Sequence, residues 1–103
     1  MVTMEQLQEH LNTKSPVVRH FLTPLGYAGS VSVQASTGHY CTPKEDQGPY
    51  SAVEVGFPSE VPTEFLGYAE DPYNPTDTVY GYVPVGLVLK YLNRIDAYIP
   101  EDS

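Results

Sequence analysis

Two periods of apolar and polar residues run along this chain, one near three and a half and one of two, and they mark out six elements. Met4, Leu7 and Leu11 recur at helical spacing, with Glu5, Gln8, Glu9 and Asn12 outside that stripe. Thr3 and Gln6 stand at the spacing of a capping box, so a helix is predicted over residues 4–13. Ser15 and Pro16 read as the cap and first position of a short second helix. Val18, Phe21 and Leu22 supply its apolar face, and it stops before Pro24. Residues 30–36 alternate strictly, with Val31, Val33 and Ala35 on one face, which predicts a half-buried strand. Residues 50–57 form a second strand, with Val53, Val55 and Phe57 facing inward and Glu54 facing the other way. A third covers residues 78–83, with Val79 and Val83 on one face and Tyr80 and Tyr82 on the other. Pro84 opens the last helix, whose stripe runs through Val85, Val88, Leu89, Leu92, Ile95 and Ile99.

Between these elements the signals are those of loops. Residues 38–49 hold two prolines, two glycines and a charged Lys44-Glu45-Asp46 tip. Residues 58–75 hold four prolines and a glycine, which leaves room for no more than one helical turn at residues 63–66. The order is helix, helix, strand, strand, strand, helix. An α+β fold is expected, with a small three-stranded antiparallel sheet and the helices packed on one of its faces.

The length of 103 residues suits a single domain spanning residues 1–103, and an apolar fraction of 41% can furnish one modest core. One cysteine excludes an internal disulfide. The polar start lacks the features of a signal peptide, and no apolar run approaches the length of a membrane span. A cytoplasmic location is expected.

Candidate chemistry is sparse. A thiol nucleophile needs a base, and His39 stands two residues from Cys41, but the pair falls in a predicted loop with no protease signature around it. His10, His20, His39 and Cys41 show none of the usual metal-ligand spacings, and no phosphate-binding glycine motif occurs. Adjacent acids such as Glu45-Asp46 and Glu70-Asp71 read as solvated loop residues rather than an acid–base pair. No catalytic residue, metal or cofactor is expected; a thiol or metal-dependent enzyme using His39 and Cys41 is the third-ranked reading.

Charge changes the picture most. The chain has 13 acidic and 5 basic residues, a net charge of -8 that argues against direct binding to nucleic acid or an anionic membrane. The excess is local. Glu45, Asp46, Glu54, Glu60, Glu64, Glu70, Asp71 and Asp77 fall in one stretch without a lysine or arginine, and the charges elsewhere cancel. Tyr50, Tyr68 and Tyr73 share the stretch, and Tyr80 and Tyr82 follow it. Tyrosines interleaved with acids on a proline-stiffened segment suit a preorganised surface for a basic partner. Glu54, Glu60, Glu64, Glu70, Asp71 and Asp77, with Tyr68 and Tyr73, are the candidate contacts. A solvated acidic face and core-packing tyrosines are the plain alternative. Halophilic adaptation would spread acids over all surfaces.

In length, acidity and lack of catalytic motifs, the chain resembles the small acidic proteins with which phages and mobile elements disable host defences, anti-CRISPR proteins among them. The resemblance is one of physical type over the whole chain and carries no residue roles. It implies a non-enzymatic inhibitor that blocks a basic, nucleic-acid-binding surface on a host protein, acting in the host cytoplasm if phage-encoded. The alternative is a structural or assembly protein that homo-oligomerises through a tyrosine-bearing sheet face.

Overall fold

A computed structural model of the protein describes residues 1–13 and 20–100, without the side chains of residues 27 and 28. In chain order it contains helix α1 (Met4–Asn12), strands β1 (Phe21–Thr23), β2 (Gly26–Gln34) and β3 (Ala52–Gly56), a 3-10 turn at Leu66–Tyr68, strand β4 (Val79–Pro84) and helix α2 (Val85–Arg94). The protein is therefore α+β, but the expected arrangement of three strands and three helices is wrong. Two α-helices accompany a four-stranded antiparallel sheet in the order β1-β2-β3-β4.

The fourth strand lies where the second helix was expected. Phe21, Leu22 and Thr23 are extended, and the expected start of that helix at Ser15 and Pro16 falls in residues 14–19, outside the described residues. Thr23-Pro24-Leu25-Gly26 turns the chain from β1 into β2. Gly26 takes a left-handed φ of 64°, which costs glycine nothing, and the pairing register slips beside it. All three β1 residues are buried. One edge of β1 pairs with β2, and Leu22 also exchanges two backbone hydrogen bonds with Tyr98, at 2.9 and 2.8 Å.

The α1 capping box is present: Gln6 N–H donates to Thr3 Oγ1 at 3.1 Å, and Thr3 N–H donates to Gln6 Oε1 at 3.0 Å. Leu7 and Leu11 of α1, and Val88 and Leu92 of α2, join Val31, Val33, Val53, Val55 and Val83 in one hydrophobic cluster. The helices thus cover one face of the sheet. Two side-chain amides fasten the periphery. Gln8 donates to the Tyr50 carbonyl at 2.7 Å and accepts from its N–H at 2.9 Å. Asn93 makes the same two-point contact with Val2, at 2.9 and 2.7 Å.

Three further corrections concern β3, β4 and α2. β3 ends at Gly56, and Phe57, with a left-handed φ of 48°, is exposed rather than inward-facing. Val53 pairs with Val83 and Val55 with Tyr80, so Gly81 and Tyr82 together oppose Glu54 in a β-bulge. The extra residue shifts the alternation, so Tyr80 is buried on the same side as Val83 while Tyr82 stays exposed. α2 ends at Arg94 rather than continuing to Ile99. Asp96 adopts a left-handed φ of 56°, Ala97 N–H reaches the Leu92 carbonyl at 2.8 Å, and Asp96 N–H reaches that of Asn93 at 3.4 Å. This is a Schellman stop with aspartate in the place glycine usually takes. Among the described residues, no helix is long and apolar enough to cross a membrane.

Candidate functional site

The acidic stretch, which runs from the loop before β3 to the start of β4, is held down from beneath. Phe65 is buried and meets the rings of Tyr80 and Tyr91 edge-on, at centroid distances of 5.2 and 5.3 Å. Tyr91 donates its hydroxyl to the Glu60 carbonyl at 2.8 Å, and Tyr80 donates to that of Pro75 at 2.6 Å. Tyr50 does the same to the Glu45 carbonyl at 2.7 Å. Each ring is fully buried, and burial pushes each phenol pKa up. Tyr50 and Tyr80 are therefore core struts.

The candidate contacts fall into two groups. In the first, the chain folds back along β4: Ala69 bridges Tyr80, Glu70 N–H donates to the Val79 carbonyl at 3.0 Å, and Asp71 N–H donates to Thr78 Oγ1 at 2.9 Å. This places Glu70, Asp71 and Asp77 around the start of β4. Glu54 stands across the sheet, near enough to Glu70 for their charges to interact. Tyr68 and Tyr73 flank the group, and Tyr73 is 91% exposed. Asp71 also shapes its loop, accepting from Tyr73 N–H at 3.1 Å and from Asn74 Nδ2 at 2.8 Å. Burial raises the Glu54 pKa against the opposing pull of His39, and Glu70 raises it further.

The second group lies by the end of α2. Glu64 takes a bidentate ion pair from Arg94, Nε to Oε2 at 2.6 Å and Nη2 to Oε1 at 3.0 Å, and its side chain is only 7% exposed. The Arg94 hydrogen bonds hold its carboxyl below the usual range despite burial. Glu64 is thus already neutralised from within. Glu60 is exposed on the same side.

A neighbouring aromatic pair lies outside the candidate contacts. Tyr82 N–H donates to the Tyr40 carbonyl at 3.1 Å, and the two exposed rings lie 5.8 Å apart. A Cβ at position 81 would stand 3.2 Å from Tyr40 Cβ, so Gly81 lets Tyr40 lie close against the strand. A glycine between two tyrosines inside an alternating strand was the available signal. His39 links this pair to the acids: its Nδ1 is 2.6 Å from Ser36 Oγ and its Nε2 is 3.7 Å from Glu54 Oε2.

Cys41 is buried, with Sγ 3.2 Å from the carbonyl oxygens of both Ser36 and Pro43. The His39 nitrogens are directed at Ser36 and Glu54, so the ring is not placed as a base for this thiol. Among the described residues, no group of three or more His, Cys, Asp or Glu side chains could hold a metal ion. A hollow of about 270 Å³ beside α1 is lined by Gln6, Glu9, His10, Thr13 and Ile99, none of them in the acidic stretch. No family model, curated protein or solved structure matches the chain.

Proposed function

We propose that the protein is a non-enzymatic binding protein whose acidic face blocks a basic, nucleic-acid-binding surface on a protein partner, as phage inhibitors of host defence such as anti-CRISPR proteins do. The observation that carries this reading is the convergence of Glu54, Glu70, Asp71 and Asp77 with Tyr68 and Tyr73 around the start of β4. The tyrosine struts and the loop hydrogen bonds order this surface before any partner arrives, which lowers the entropic cost of binding. Its charge would steer a basic partner and speed encounter at low salt. Glu64 contributes least, because Arg94 already satisfies it. The sheet face that bears the exposed Tyr82 also carries Glu54, so self-association through it would set carboxylates against carboxylates, which disfavours the assembly reading.

The test is affinity capture from a native-source lysate. The wild-type protein is compared with a Glu70→Lys, Asp71→Lys, Asp77→Lys variant, and each is challenged with duplex DNA and RNA. The wild type should retain a nucleic-acid-binding protein, added nucleic acid should release it, and the variant should retain at least about tenfold less. Equal retention by the variant, or a captured protein indifferent to nucleic acid, would overturn the proposal.

A further inference from the structure

We propose that the helix-free face of β3 and β4 carries a recognition site for an arginine side chain of the partner, with Tyr40 and Tyr82 as its aromatic wall and Glu54 and Glu70 as its anionic side. The proposal rests on the reading that the partner is basic, and it names the group by which that partner would be held.

The bulge brings the components together. Gly81 and Tyr82 oppose Glu54 across the β3–β4 pair, Tyr40 lies against Gly81, and His39, next to Tyr40 in the chain, reaches Glu54. This face already attracts a cation: Lys44 Nζ lies 5.6 Å from the centroid of the Tyr40 ring. Lysine offers a hydrated point charge. A guanidinium is planar and less strongly hydrated, so it can stack on a tyrosine while its N–H fork engages a carboxylate. Glu54 and Glu70 are close enough to repel each other, and a cation held beside them removes that repulsion. An incoming arginine would therefore displace Lys44 from Tyr40.

Tyr82 is one of the two bulge residues; its φ of 55° is left-handed, which strains a residue bearing a Cβ, and its ring is exposed. Glycine at this position would be free of that strain.

The test uses purified full-length protein and synthetic hexa-arginine, hexa-lysine and hexa-citrulline peptides, with binding followed by calorimetry near physiological salt. Hexa-arginine should bind about tenfold tighter than hexa-lysine, and hexa-citrulline, which is planar but uncharged, should bind far more weakly than either. Tyr82→Gly should weaken hexa-arginine about tenfold while its Tm stays equal or rises, and Lys44→Ala should strengthen it severalfold. Should Tyr82→Gly fail to fold, Tyr82→Asn removes the ring and still tolerates a left-handed backbone. Equal affinity for hexa-arginine and hexa-lysine, or undiminished hexa-arginine binding in a folded variant lacking the ring, would overturn the site. The broader reading has a separate readout in the captured protein and its loss on charge reversal, so either can fail while the other stands.

Discussion

Tyr50, Tyr80 and Tyr91 solve the same local problem in three places. Each ring fills core volume, and each hydroxyl satisfies a loop carbonyl that water would otherwise have to reach. The charged residues beside them divide by environment. Glu70 and Asp77 are exposed, while Glu64 is tied to Arg94, whose second nitrogen also donates to the Val61 carbonyl at 2.9 Å. Because the folded pKa of Glu64 is depressed, its contribution is present above the ordinary glutamate value of 4.5 and is lost as pH falls through the folded value. Glu64→Gln should therefore destabilise the protein by about 1–2 kcal/mol at neutral pH, moderated by the exposure of Arg94. Urea unfolding at a series of pH values should show that difference narrowing in acid. A difference that persists unchanged into acid would show that the ion pair is not its source.

At the scale of elements, most of the secondary structure was legible where the period was long enough to count. The α1 capping box, the Val31–Val33 and Val53–Val55 alternations and the stripe of α2 all correspond to observed elements. β1 was not legible, because Phe21-Leu22-Thr23 is too short to show a period and all three of its residues are buried. The Pro24 and Gly26 turn signal was there to be read as a hairpin. The faces of β4 were inverted at Tyr80 because a bulge is set by pairing between strands, which a single strand's pattern does not record. The end of α2 was hidden for another reason: aspartate rather than glycine occupies the left-handed stop. Asp96→Gly should relieve that strain and stabilise the fold by about 0.5–1 kcal/mol, raising Tm by about 2–6 °C in a thermal melt. A lower Tm would mean that the aspartate side chain makes a compensating interaction.

For the molecule as a whole, confining the charge to one stretch has a cost. Like charges around β4 repel in the folded state, and salt screens them. Tm should therefore rise by about 2–5 °C between low salt and about 0.3 M NaCl, and the Glu70, Asp71, Asp77 lysine variant should lose most of that rise. A flat wild-type response would mean that the acids are too well solvated to interact. Of the candidate site, residue counting could find the acidic stretch but not its division. Fold-back along β4 gathers Glu70, Asp71 and Asp77, while Arg94, thirty residues along the chain, removes Glu64. Tyr40 and Glu54 meet only through the bulge and His39. The bridges at Tyr98 and Ala69 lie at opposite edges of the sheet, roughly 24 Å apart at the usual strand spacing. Met1 and Val2 share a hollow with Tyr98 and Ile99, so the first and last described residues sit together on the β1 side. A dye attached at Met1 or at Ile99 would therefore stand away from the acid-bearing edge and leave it open to a partner.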